Sequence, residues 1–412
     1  MNKDMNRHQI PYGDGKIELK IPRKNAQVDT WLPPESTTAV LKADSVTEIL
    51  YKEPLIVNKN SRIAIAINDN TRPVPYDVLL IPLLHYLHDR RIERERIVIF
   101  ISTGTHKPLK KSDCRKYIPK EVVDQYEILS HNCDEKGQFT DLGFTSRGTP
   151  VLINTRFMQA DVKITIGNIE PHHFMGFSGG AKTAGIGLAA RETIEANHRL
   201  LLESNTVAGE YHNNPMRQDL EEIGDKIQIT ACLNAILDYK KEVLHILWGS
   251  PREVMQAGIE ESRKSYQVAI PTDYDLVIAS AGGYPKDINL YQSQKALTNA
   301  CMICKPGGSI VLVAECREGH GNPKYADFMQ GKHCFEEVLD EFKKIPFQIG
   351  PHKAYLIARQ GIQQKLFLQS GMDDKLVRSL LLSPVHSLND FVEDYFDKKI
   401  AILPYATTTV PY

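Results

Sequence analysis

The stretch Pro171-His172-His173-Phe174-Met175-Gly176-Phe177-Ser178-Gly179-Gly180-Ala181-Lys182 concentrates reactive residue types as no other part of the chain does. His198 follows sixteen residues after Lys182. Imidazoles can move protons near neutral pH or ligate a metal. The Ser178-Gly179-Gly180 turn before a lysine at a predicted helix start resembles a phosphate loop, where free N–H groups attract anions. It is not the nucleotide-binding pattern Gly-x4-Gly-Lys-Ser/Thr, because Ala181 occupies the place of the second glycine. Core packing needs none of these residues.

Three other segments carry similar chemistry. Asp69-Asn70-Thr71-Arg72 offers a carboxylate and a guanidinium fork suited to binding a carboxylate through two hydrogen bonds. Thr103-Gly104-Thr105-His106 ends on a loop histidine, and Gly282-Gly283-Tyr284-Pro285 precedes a helical pattern that holds Tyr291, Gln292 and Lys295. Gln292 and Lys295 are one turn apart and share a helix face. Each feature also has an ordinary reading. Asp69 and Arg72 could pair or cap a helix, His106 could be a surface residue, and His198 could be a packed or solvated helical histidine. His172 and His173 are adjacent and in a loop can point apart. Gln292 and Lys295 could form a solvated face. Together they supply more convergent groups than a passive binding module requires.

These residues must be held by a scaffold. Near-continuous apolar runs predict buried parallel strands at Arg62–Ile67, Ile97–Ser102, Val162–Ile166, Leu276–Ala281, Ser309–Ala314 and Ile400–Leu403. Helical patterns alternate with them at Val74–His88, Lys182–Glu203, Pro215–Ile223, Pro251–Lys264 and Asn289–Cys304. The alternation predicts an α/β fold of two domains, built on mainly parallel sheets flanked by helices. The predicted domains are 1–268, which carries the catalytic and tethering residues, and 269–412, which completes the substrate site. The last residues, Ala406–Tyr412, belong to the second of these and could pack back on the first. The candidate loops each follow a strand, where open α/β sheets bind ligands. The active site is therefore expected in a cleft between the domains.

Composition narrows the function classes. The chain has 412 residues, 42% hydrophobic and 25% charged, with a formal net charge of −1. No global field recruits nucleic acid or an anionic membrane, and no apolar run reaches the roughly 18 residues of a membrane span. The polar start Met1-Asn2-Lys3-Asp4-Met5-Asn6-Arg7 argues against secretion. Seven scattered cysteines fit a reducing cytoplasm better than a disulfide framework. Cys301-x2-Cys304 with Cys316-x3-His320 superficially matches zinc-ligand spacing, but a predicted strand separates the two halves, and buried thiols are the simpler reading.

The ordered set of motifs resembles the nickel-pincer lactate racemases, a family acting on 2-hydroxy acids. The resemblance runs through Asp69–Arg72, Thr103–His106, His172–Lys182, His198, Gly282–Pro285, Tyr291-Gln292 and Lys295, almost the whole chain. The ten-residue step from His172 to Lys182 and the sixteen to His198 agree with the family spacing. It implies a nickel-pincer nucleotide, a pyridinium mononucleotide whose two sulfur-bearing arms grip nickel, covalently joined to Lys182, with His198 as the protein ligand to the metal. Ser178, Gly179 and Gly180 would cradle that cofactor. It implies acid/base roles for His106 and His172, and substrate positioning by Asp69, Arg72, Tyr291, Gln292 and Lys295. The implied partners are a small 2-hydroxy acid, such as lactate, malate or an aldonate, and cofactor-maturation proteins; a homodimer stays open. Two other readings remain: a zinc-dependent hydrolase using His106, His172 and His198, and a non-catalytic binder of a nucleotide or organic anion.

Overall fold

The computed structural model describes residues 5–22, 27–36 and 38–412, so the first four residues of the polar amino terminus lie outside it. Two compact units divide the chain: Glu35–Ser265, and Met1–Pro34 together with Tyr266–Tyr412.

In the Glu35–Ser265 unit, six strands form one sheet in the order Val243–Gly249, Ala231–Leu237, Val162–Asn168, Ile63–Asn68, Ile97–Ser102, Glu127–Ser130. All neighbours run parallel except the pair Ala231–Leu237 and Val243–Gly249. The alternating Ile-Ala run of Ile63–Asn68 is buried from Ile63 to Ile67, as a central strand covered on both faces requires. Sequential strands step outward from Ile63–Asn68, and the chain then returns to its other side with Val162–Asn168. That reversal makes a switch point, and the crevice beyond the carboxyl ends of these two strands is where open α/β sheets accept ligands. The helix Tyr76–Asp89 packs its leucines into the sheet core.

The second unit is also a six-stranded sheet, ordered Ser383–Val385, Lys365–Gln369, Cys304–Val313, Tyr274–Ser280, Lys399–Leu403, Gln27–Thr30 and parallel throughout. The first 34 residues therefore belong with the carboxy-terminal unit, a correction to the expectation that 1–268 forms one domain. The cause is non-local pairing: Gln27–Thr30 supplies the edge strand beside Lys399–Leu403. The hairpin Met5–Tyr12/Gly15–Pro22 buries Ile10, Leu19 and Ile21 against the same sheet. At the chain end, Val410–Pro411 pairs with Gln267–Val268, and the Thr407 hydroxyl donates to the Ala281 carbonyl.

The predicted helix Lys182–Glu203 is three pieces: Lys182–Gly185, Arg191–Arg199 and a short 3-10 turn, Leu200–Leu202. Between the first two the chain runs over the sheet end. There a Cβ on Gly187 would lie 2.2 Å from the Thr183 carbonyl oxygen and 2.4 Å from the Ser102 Cβ. Cys304 opens a strand, and no three His, Cys, Asp or Glu side chains are gathered as a metal site among the described residues. Burial pushes the Cys304 thiol up to about 12, as expected of a packed, protonated group.

Candidate functional site

The Glu35–Ser265 unit builds its site on the two strands at the switch point. Ile63–Asn68 hands over to Asp69, which is 4% exposed. Its Oδ1 accepts the Thr71 hydroxyl at 2.6 Å and the Thr71 N–H at 3.1 Å, a turn that fixes the carboxylate. Its Oδ2 lies 2.6 Å from His106 Nδ1, and the His106 ring is half exposed. Burial alone would raise the Asp69 carboxyl, but the hydrogen bond and charge of His106, with the two Thr71 donors, outweigh it and hold the group below the usual carboxylate range. Asp69 is thus an anion at neutral pH and can only accept. A neutral His106 therefore carries its proton on Nδ1 and keeps on Nε2 a lone pair directed away from the carboxylate. The ordinary reading, in which Asp69 pairs with Arg72 or caps the next helix, does not hold. Arg72 Nη1 reaches Glu170 Oε1 at 3.2 Å, and the Tyr76–Asp89 helix has no side-chain cap.

The other switch-point strand, Val162–Asn168, hands over to the histidine segment. Asn168 Nδ2 donates to the Pro73 carbonyl at 2.8 Å and so ties the two strand-end loops together. A two-residue ladder, Pro171–His172 with Gly176–Phe177, makes a tight turn. His172 is buried, and its Nδ1 accepts the Met175 N–H at 3.3 Å. A neutral His172 therefore carries its proton on Nε2, the reverse of His106. His172 and His173 do not point apart: their rings stack with centroids 4.6 Å apart. Phe174 packs edge-on against both, and edge-on against His198 at 5.7 Å. No sequence signal singled out Phe174 or Glu170.

Lys182 opens a single helical turn and lies close enough to His198 to act on its charge. His198, on Arg191–Arg199, is driven down to about 3, first by desolvation and then by the Lys182 ammonium, against a stabilising backbone carbonyl at Ile194. A neutral imidazole at physiological pH is the form that ligates metals. The loop before Lys182 is internally bonded. The Ser178 hydroxyl donates to the Asn168 carbonyl at 2.8 Å and accepts the Glu170 N–H at 3.0 Å. The Ser178 N–H goes to Glu170 O at 2.9 Å, and the Gly180 N–H to Asn234 Oδ1 at 2.7 Å. Two of the amides that a phosphate nest would use are thus already bonded within the protein, to Glu170 and Asn234.

On the other unit, Tyr291, Gln292 and Lys295 lie on the helix Leu290–Ile303, capped by Asn289. Lys295 Nζ lies 3.4 Å from Gln292 Oε1. Burial raises the Tyr291 phenol, whose ring faces His352 and the Lys353 ammonium.

The lactate racemase N-terminal domain matches residues 12–209, and the lactate racemase C-terminal domain matches 270–403. The chain belongs to the lactate racemase family. The lactate racemase of Thermoanaerobacterium thermosaccharolyticum is 26% identical over 424 residues, covering 98% of each chain. That of Lactiplantibacillus plantarum is 28% identical over 356 residues, covering 83% of each. In fold, the chain superposes on the lactate racemase apoprotein from T. thermosaccharolyticum with a TM-score of 0.90 at 24% identity, over 99% of this chain and 100% of that one. A Thermotoga maritima protein gives a TM-score of 0.71 at 19% identity, over 90% and 98%.

Proposed function

We propose that this family member is a racemase or epimerase that inverts C2 of a 2-hydroxy carboxylic acid, lactate or a related acid such as malate or an aldonate. The observation that carries the reading is the Asp69–His106 pair at 2.6 Å, at the carboxyl end of the central strand. It presents an imidazole lone pair beside the switch point, as removal of a hydroxyl proton requires.

Inverting such a carbon by removing its C–H proton is costly, because an ionised carboxylate next to it resists a carbanion. Moving the hydrogen as hydride and the hydroxyl proton separately avoids that. We assign the cofactor role to a nickel-pincer nucleotide joined to Lys182 and ligated by His198, with Ser178, Gly179 and Gly180 shaping the tether loop. The donor set fits: His198 is neutral at physiological pH, and the Lys182 ammonium is near enough to act on its charge. A metal held by one imidazole needs its other donors from a cofactor, because no protein triad surrounds it among the described residues. When bound, such a group supplies a reversible hydride acceptor. The chain's residues do the rest. His106 Nε2 takes the hydroxyl proton of one enantiomer; from the resemblance we assign the other to His172, whose Nε2 becomes a base once its proton moves to Nδ1 and the Met175 N–H bond gives way, and each returns its proton as the 2-oxo acid is reduced. Arg72 binds the substrate carboxylate with Nη1 already on Glu170, which fixes the plane of its fork. From the resemblance, we assign Tyr291, Gln292 and Lys295 to the same substrate set.

The alternatives are less well supported. A zinc hydrolase needs three protein ligands, and a passive anion binder leaves the Asp69–His106 pair without a purpose. All seven cysteines are free, in keeping with a reducing compartment, and we place the protein in the cytoplasm. No helix among the described residues is long and apolar enough to cross a membrane.

The test is racemisation of C2-protonated lactate in deuterated water by enzyme co-produced with cofactor-maturation proteins. Product with little C2 deuterium is expected, because hydride returns to the carbon it left while imidazole N–H groups exchange readily. Stoichiometric C2 deuterium would overturn the hydride route, and inertness toward lactate, malate and an aldonate alike would overturn the substrate class.

A further inference from the structure

The helix Pro215–Ile227, in sequence after the N-terminal family match and before the C-terminal one, carries buried charges that packing alone does not call for. Arg217 is fully buried, and Asp219 and Glu221 are each 1% exposed. Their partners are the segments that carry the candidate site. Asn214, the cap of this helix, donates to the Phe174 carbonyl at 2.9 Å, in the turn of His172. Arg217 Nη1 donates to the Phe177 carbonyl at 2.9 Å and Nη2 to the Gly179 carbonyl at 3.3 Å, directly under the loop that leads to Lys182. Asp219 accepts Asn197 Nδ2 at 2.8 Å, next to His198, and also the Thr145 and Thr149 hydroxyls.

The Arg217 contacts are the most demanding. Gly179 and Gly180 take φ of +82° and +60°, and a Cβ at either would fall within 2.7 Å of a neighbour. Phe177 and Gly179 are both buried, so their carbonyls need donors; that of Gly179 also takes the Lys182 N–H at 3.3 Å. Arg217 supplies both from one planar fork, which a lysine ammonium at this depth could not match in geometry. Glu221 Oε1 receives Arg217 Nε at 2.8 Å and Nη2 at 2.5 Å, and the Tyr211 ring lies 5.2 Å from the guanidinium carbon. A buried ion pair is a poor way to gain stability, since an apolar pair of similar volume often does as well. What it supplies here is a fixed shape for one loop.

We propose that Arg217, neutralised by Glu221, is a positioning residue for Lys182: it locks the Phe177–Gly180 backbone so that the Lys182 amine is presented for cofactor attachment. The inference rests on the reading of Lys182 as the tether, so the test has one arm that does not.

The variant is Arg217→Met with Glu221→Leu, which removes both charges together so that neither is left buried alone. Arg217→Lys is its conservative companion. In the first arm, hydrogen–deuterium exchange of cofactor-free protein compares the amides of 177–182 with those of the strand Ile97–Ser102. Exchange of the loop is expected to speed up by about tenfold or more in the double variant and less in Arg217→Lys, with the strand unchanged. In the second arm, intact mass after co-production with maturation proteins reads adduct per chain, expected to fall severalfold in the double variant and to recover partly in Arg217→Lys. Loop exchange equal to the parent's, or acceleration spread equally over the strand, would overturn the positioning role. So would full adduct on a loosened loop. An adduct found in the parent on another residue would overturn the tether reading and leave the exchange result standing.

Discussion

The Asp69–His106 pair shows how a single carboxylate decides which nitrogen acts. Because Oδ1 is occupied by two Thr71 donors, Oδ2 is the oxygen left for His106. In Asp69→Asn the amide oxygen would keep the Thr71 bonds and the amide NH2 would face His106 Nδ1. That nitrogen would then have to accept, moving the imidazole proton to Nε2 and blocking the base. We expect kcat/KM to fall by roughly 10²-fold or more, within the range general acid/base help supplies. Free lactate enantiomers have equal energy, so the loss must be the same in both directions; polarimetry from each enantiomer checks both magnitude and symmetry. Activity within a few-fold of the parent would show that Asp69 does not select the tautomer.

At the scale of elements, much was legible because it is local. Ile97–Ser102 and the start of Val162–Asn168 follow from unbroken apolar runs, and the strand-end positions of Asp69, His106 and the His172 segment follow from them. What was not legible depends on approaches between distant segments. The pattern from Lys182 to Glu203 is helical in period, yet the chain breaks where Gly187 meets Ser102. Nothing in the sequence marks out Arg217 and Glu221, and only the fold reveals that they are a buried i,i+4 pair beneath a loop. Gly187→Ala tests the first point. Its Cβ would overlap a backbone oxygen, so a loss of about 1–3 kcal/mol is expected from denaturant unfolding; an unchanged midpoint would mean that the turn is slack. Arg62 grips Asp161 through its side chain and backbone N–H, joining the starts of two neighbouring strands, and these bonds lower the Asp161 carboxyl from 3.8 to about 2. A depressed carboxyl contributes stability that is present above its unfolded pKa and lost as pH falls through the folded one. Between about pH 4 and 2, Asp161→Asn should therefore flatten the fall of stability with pH, by at most about one proton, and leave the slope above pH 5 untouched. A parent-like slope below pH 4 would show that the pair does not influence folding.

At the scale of the whole chain, the two units differ in how they are assembled from the sequence. Glu35–Ser265 is continuous, whereas the other unit needs both ends of the chain. Its amino-terminal part contributes the edge strand Gln27–Thr30, and the Trp31 N–H bonds to the Ile402 carbonyl at 2.9 Å. Tyr274 joins it: its hydroxyl donates to Asp29 Oδ2 and accepts the Trp31 indole N–H. Ile10, Leu19 and Ile21 fill one face of the sheet against Leu276, Ile278, Val311, Val313, Ile400 and Ile402. Burying three such side chains is worth about 5–9 kcal/mol, an upper estimate because unfolded chains already hide some apolar surface. That is comparable with the roughly 5–15 kcal/mol by which a domain is stable. Removing residues 1–34 should therefore unfold the carboxy-terminal unit and leave Glu35–Ser265 folded, since every strand of that unit's sheet comes from its own span. Limited proteolysis with mass mapping reads this directly. The parent should yield resistant fragments from both units, and the truncated chain only a fragment ending near Ser265. A resistant 266–412 fragment from the truncated chain would show that the amino-terminal hairpin and edge strand cover the sheet without holding it together.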